Sequence, residues 1–99
     1  FQPHTYSRTK ALLPEFAKAL SGADSVILAD IYAAREKNTV GITSADLAEK
    51  IAETGTDVHY LPDFESIRKF ILDHVEEGDL LITMGAGNIV DIGNQLISM

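Results

Sequence analysis

Three short apolar runs, separated by stretches with helical periodicity, constrain the fold of this chain more than any other feature of its sequence. The runs are DSVILAD at 24–30, DVHYL at 57–61 and DLLITMG at 79–85. Short continuous runs rich in Val, Ile and Leu are typical of strands buried on both faces of a parallel sheet. Apolar residues at spacings of three and four predict helices in 7–22, 43–55, 63–78 and 89–96. The alternation therefore predicts an α/β fold with an open, mostly parallel sheet and helices on both faces.

Local signals refine the helix boundaries. Ser7 is a candidate cap for the first helix, and Pro14 predicts either a kink or a regular part that starts near the proline. Thr43 followed by Asp46 resembles a capping box, and Asp63 is a candidate cap for the third helix. Phe1 is expected to end a further strand whose body is missing, so 1–99 is interpreted as one domain of a larger protein.

Composition excludes several classes of function. The chain has 99 residues, no cysteine and a net charge of −7, with 8 basic against 15 acidic residues. Without cysteine there is neither a disulfide framework nor a thiolate metal site, which fits a reducing cytosol. The scattered basic residues argue against a nucleic-acid surface, and the apolar runs are too short for a membrane span. No His, Asp or Glu spacing predicts a metal site.

The carboxyl ends of the predicted strands are the places where ligands bind in open α/β sheets. After the first lie His4 and Arg8, four residues apart, which could bind a carboxylate or be a packing histidine and a surface arginine. After the second lie Asp30, Tyr32 and Arg35. Asp30 either positions a ligand or caps a turn, and Arg35 with the adjacent Glu36 is interpreted as a solvated pair at most.

A glycine turn follows the last predicted strand and opens the last helix. It comprises Gly85, Ala86, Gly87 and Asn88. Free N–H groups there could bind an anion, but two glycines can equally serve only a tight turn. The dinucleotide fingerprint is incomplete because Val90 stands at its third glycine, and no P-loop pattern for ATP is present.

FQPHTYSRT at 1–9, ADSVILADIYAARE at 23–36 and LLITMGAGNI at 80–89 together resemble the C-terminal domain of the Mur ligase family, along essentially the whole chain. The resemblance implies a Rossmann-like domain that closes over the cleft of a three-domain, cytoplasmic, bacterial enzyme. It further implies ATP-dependent ligation of L-alanine to UDP-N-acetylmuramate, through an acyl phosphate, in peptidoglycan precursor synthesis. ATP and Mg²⁺ would be held mainly by the missing central domain, and this chain alone would be inactive.

The resemblance also implies roles for individual residues. His4 and Arg8 match family positions associated with the carboxylate of the amino acid. Thr5 stands where the family motif has an arginine, which puts a two-arginine clamp in doubt, and Asn88 stands where aspartate is common. Two alternatives stay open, a related ligase for another amino acid or peptide and a free-standing α/β module that binds an anion at 85–88.

Overall fold

The structure, a computed structural model, describes residues 1–85 and 87–97. Its elements in chain order are α1 (Tyr6–Ala11), α2 (Leu13–Leu20), β1 (Ser25–Leu28), α3 (Ser44–Ala52), β2 (Asp57–Tyr60), α4 (Phe64–His74) and α5 (Val90–Ile97). Ala86, one of the candidate site residues, lies outside the described residues. No helix in the described ranges combines the length and the apolar character needed to cross a membrane.

The sheet is parallel, as the sequence predicts. β1 pairs with β2 in a register that places Ser25 opposite Asp57. The first residues extend this sheet beside β1, since the Phe1 carbonyl accepts from the Ala29 amide at 3.0 Å. On their other side, Gln2 forms an isolated parallel bridge with Gly85. The order across the sheet is therefore 84–85, 1–4, β1, β2.

Helices cover both faces of the sheet, which confirms the predicted architecture. Alternate residues of a strand point to opposite faces. Val26 and Leu28 pack with α2 and α3 in one buried cluster. Ile27 packs on the other cluster, whose buried members are Ala29, Ile67, Ile71, Ile89 and Ile92. β1 is thus buried on both faces, because each face of the sheet carries its own pair of helices.

The helix starts follow the sequence signals with one exception. Thr43 and Asp46 form the predicted capping box, and Asp63 accepts from the Ser66 amide at the start of α4. The first predicted helix is broken at Leu12, and Pro14 lies in the first turn of α2. The prediction that Ser7 caps the first helix is wrong, since α1 begins at Tyr6 and Ser7 lies inside it.

The prediction of a strand over 79–85 is wrong for this structure. Only Gly85 makes a bridge there, while Leu80 is 86% and Ile82 61% exposed. The physical reason is the register. Gly85 lies opposite Gln2, so Thr83 lies opposite the position before Phe1, and 79–83 have no described strand beside them. Apolar runs form strands only when a neighbouring strand supplies hydrogen-bond partners.

The amino group of Phe1 makes the stability of the 99-residue chain depend on pH. It donates to the Ile27 carbonyl at 2.7 Å, and burial lowers its pKa from 8.0 to about 6. Between these values the unfolded chain binds a proton that the folded chain does not. The free energy of unfolding is therefore expected to rise by roughly 2–3 kcal/mol from pH 5.5 to pH 8.5.

Urea unfolding across this pH range measures the effect, and the same chain with an acetylated N terminus is the matched control. Acetylation removes the titrating amine but keeps an N–H donor for Ile27. The difference between the two pH profiles isolates the amine from the histidines and carboxylates. Parallel profiles for the two chains would contradict the prediction.

Candidate functional site

The candidate site lies where two neighbouring segments of the sheet send their helices to opposite faces. Residues 1–4 lead to α1 and α2, and α2 packs in the Val26–Leu28 cluster. The adjacent 84–85 segment leads to α5, which packs in the opposite cluster. Such a switch point opens a crevice at the carboxyl ends of the two segments. His4 and three residues of the glycine turn, Gly85, Gly87 and Asn88, were predicted separately from sequence and lie at this crevice.

His4, Arg8 and Tyr32 come together on one side of the crevice. Arg8 Nη1 lies 3.5 Å from His4 Nδ1. The His4 ring stacks on Tyr32, with centroids 5.7 Å apart and planes inclined by 15°. The Tyr32 backbone clamps this turn, since its amide donates to the Pro3 carbonyl and its carbonyl accepts from the Thr5 amide, each at 2.8 Å. The three side chains are therefore positioned by backbone hydrogen bonds between two segments distant in sequence.

Arg8 presents an unpaired charge at this place. Its side chain is exposed and forms no ion pair with any acidic group in the described ranges. A guanidinium has five N–H donors in a planar fork, and the weak contact with His4 involves only one nitrogen. The remaining N–H groups can donate to the oxygens of a carboxylate or a phosphate.

Thr5 adopts an unusual backbone conformation between His4 and α1. Its φ is 63°, a left-handed value that β-branched residues rarely adopt. Its carbonyl accepts from Thr9 Oγ1 at 2.6 Å, and its side chain makes no capping hydrogen bond to α1. Thr9 and Tyr32 thus hold a backbone turn that costs about 1–3 kcal/mol, and such strain is concentrated at functional sites.

The glycine turn faces Tyr32 closely. A Cβ on Gly87 would lie 2.7 Å from Tyr32 Cδ2 and 2.8 Å from Gln2 Oε1, both too short for contact. Gln2 is buried, and its Oε1 has no hydrogen-bond partner among the described residues. Gly87 is therefore needed for close packing against Tyr32 and Gln2, a structural role different from the tight turn predicted for it. Asn88 is exposed beside it, and its carbonyl accepts from the Asp91 amide at the start of α5.

The other candidate residues, Asp30 and Arg35, follow β1 at the same edge of the sheet but have different partners. Asp30 accepts a hydrogen bond from the Tyr60 hydroxyl at the end of β2. This bond, more than the burial of the ring, raises the pKa of Tyr60 to about 12. Arg35 is exposed and makes no ion pair with another residue in the described part. Tyr60 was missed from sequence because nothing in DVHYL indicates that its hydroxyl reaches the neighbouring strand.

Glu36 is not the solvated partner of Arg35 that the sequence suggests. Its two carboxylate oxygens accept from the Ser7 amide at 2.7 Å and from the Ser7 hydroxyl at 2.6 Å. The hydroxyl bond and then the amide bond lower the pKa of Glu36, and the Arg8 charge adds a smaller effect. The interpretation as a solvated pair is wrong because Ser7, 29 residues away, offers both donors.

The described residues contain no group of three or more His, Cys, Asp or Glu side chains that could hold a metal ion. His59 is hydrogen-bonded to Asp57 at 3.0 Å, and His74 contacts the Phe70 carbonyl at 2.8 Å. Both histidines lie away from the crevice and have structural partners. At the crevice itself, the Arg8 guanidinium provides donors suited to an anionic ligand.

Comparison with known families places this chain in a class. Residues 2–87 match the family described as Mur ligase, glutamate ligase domain. The match covers most of the chain, so the chain belongs to the Mur ligase family.

Individual relatives have a more specific name. UDP-N-acetylmuramate–L-alanine ligases of Agathobacter rectalis and Lachnospira eligens are 61% and 60% identical over 97 residues, or 98% of this chain. The enzyme of the same name from Caldanaerobacter subterraneus is 53% identical over the same length. The chain spans about a fifth of the length of these relatives, 21% in each case.

Proposed function

We propose that this chain is the C-terminal domain of a bacterial, cytoplasmic ligase that joins L-alanine to UDP-N-acetylmuramate in peptidoglycan precursor synthesis. The observation that carries the proposal is the 61% identity, over 98% of the chain, to a relative named for these two substrates. The unpaired Arg8 beside His4 at the crevice supports it, because the amino acid brings a carboxylate that needs such a partner.

In the proposed reaction, ATP phosphorylates the muramyl carboxylate to an acyl phosphate, the alanine amine attacks, and phosphate leaves. This chain contributes the binding of alanine. Arg8 and His4 hold its carboxylate, so that the amine at the other end is oriented towards the activated acyl group. Such positioning turns an encounter of two molecules into an intramolecular step.

The domain is proposed to work as part of a longer chain. A cavity of about 260 Å³ runs between β1 and the 80–84 segment, with Phe1 at its end. Its lining is largely apolar and includes Phe1, which is hydrogen-bonded beside β1. We assign this slot to the residues that precede Phe1 in the full-length ligase. ATP and Mg²⁺ are assigned to the other domains of that ligase.

Amino-acid-dependent phosphate release by the full-length ligase tests the proposed function. With ATP and UDP-N-acetylmuramate, L-alanine is expected to be preferred over glycine, L-serine and tripeptides, and the 99-residue chain alone is expected to be inactive. A preference for another amino acid would favour a related ligase. Tight nucleotide binding by the isolated chain in calorimetry would favour the anion-binding module instead.

A further inference from the structure

The first turn of α1 has no capping group of its own. The N-cap residue Thr5 makes no side-chain cap bond, and the first turn contains no acidic residue. The helix has only 6 residues, a length at which an isolated helix is not stable in water. The free amides of such a helix start bond either to water or to a group from outside the helix.

Here that group is Glu36, which bonds to the amide and the hydroxyl of Ser7. It reaches from the loop after β1 and binds Ser7, the second residue of α1, with both carboxylate oxygens. An acidic side chain at a helix N-terminus satisfies a free amide and interacts favourably with the helix dipole. Arg8 is the next residue in the same turn, so Glu36 fixes the backbone from which the guanidinium extends.

The same loop holds the turn at two further points. Tyr32 pairs with the backbone on both sides of His4, and Lys10 Nζ donates to the Val40 carbonyl at 3.1 Å. Glu36 lies between these two contacts in the loop. Lys10 and Glu36 both make charge-assisted hydrogen bonds, which are about twice as strong as neutral ones, but only Glu36 bonds to the first turn of α1.

Glu36 does not bind the guanidinium of Arg8, which is the group proposed to bind the ligand. It forms no ion pair with Arg8, and its two oxygens are taken by Ser7. The carboxylate therefore orders the turn while leaving the guanidinium donors available. A carboxylate paired directly with Arg8 would compete with the ligand.

We propose that Glu36 is a positioning residue for the amino-acid carboxylate, acting through Ser7 on Arg8 and His4. This inference rests on the proposed function, because it assigns the role to that same site. It predicts that loss of Glu36 weakens the use of alanine selectively. The chemical step and the use of ATP depend on other groups and stay close to wild type.

The test uses the full-length ligase with Glu36→Ala, Glu36→Gln and Ser7→Ala, and Glu53→Ala as the matched control. Glu53 is an exposed glutamate whose ion pair with Lys50, at 3.7 Å, lies at the end of α3. Glu36→Ala is expected to raise KM for L-alanine about 5-fold to 30-fold, with kcat and KM for ATP within about twofold. Glu36→Gln keeps an acceptor for the Ser7 amide and should recover most of the wild-type KM.

Ser7→Ala removes only the hydroxyl bond and should raise KM for L-alanine about 2-fold to 5-fold, which keeps the test valid if Glu36→Ala does not fold. Glu53→Ala should change neither KM. Equal increases in KM for alanine and ATP, an unchanged KM for alanine, or identical behaviour of the alanine and glutamine variants would each overturn the proposal. Wild-type enzyme without alanine-dependent turnover would instead refute the proposed function.

Discussion

Replacing Arg8 with alanine in the full-length ligase is expected to raise KM for L-alanine about 30-fold to 700-fold, with KM for ATP nearly unchanged. The reason is the loss of a charge-assisted pair with the amino-acid carboxylate, which costs about 2–4 kcal/mol. Arg8 has no protein carboxylate as partner among the described residues, so its removal leaves no buried acid unpaired. The effect should therefore appear in substrate binding rather than in folding.

Two variants sharpen the Arg8 test. Arg8→Lys keeps the charge but loses the planar fork, and an intermediate KM for alanine is expected. Arg68→Ala removes an arginine whose Nη1 donates to Gln95 at 3.1 Å, away from the crevice, and should leave alanine kinetics unchanged. Steady-state kinetics with alanine and ATP varied in turn provide the measurement. Unchanged alanine kinetics in Arg8→Ala would remove Arg8 from the site.

Extending this chain with the residues that precede Phe1 in the full-length ligase is expected to raise the free energy of unfolding by about 2–5 kcal/mol. An added strand would cover Ile82, which is 61% exposed, and its neighbours in the 80–84 segment. Each apolar side chain of this size stabilises by about 1.5–3 kcal/mol when fully buried, while ordering each added residue costs about 1–2 kcal/mol. Several side chains are buried together, so the net effect is stabilising.

Urea unfolding of the extended and original chains measures this, and the denaturant slope should also increase with the surface buried. An extension of equal length made of glycine and serine is the control for added length. Ile82→Ser gives a second control, since it should destabilise the extended chain much more than the original. Equal stability of the original and extended chains would contradict the assignment of the slot.

Local patterns predicted the parts of this fold that depend on neighbouring residues. The 24–30 and 57–61 runs contain β1 and β2, and the Thr43 capping box forms as expected. These succeed because propensity, burial pattern and turn chemistry agree at each place. The strand prediction for 79–85 is wrong because an apolar run becomes a strand only beside a neighbouring strand, whatever its composition.

The candidate site was only partly accessible from sequence. The rule for strand ends selected His4 and the 85–88 turn as separate candidates, and the packing of helices on two faces in the structure is that of a switch point between their segments. Neither the Ser7–Glu36 pair nor the Tyr60–Asp30 bond has any signal in sequence spacing. Side chains that are about 30 residues apart meet only because the parallel register brings their strand ends to one edge.

The sequence alone determined the α/β class and most of the helix starts, and it predicted a place for an anionic ligand, because short-range periodicity and glycine chemistry act locally. Only the tertiary structure decided which charged side chains are bound to other residues of the described part and which remain available to a ligand. Arg8 is left without an acid, whereas Glu36 is committed to Ser7. That difference arises from distances across the sheet, which depend on strand register and on the path of the loop after β1.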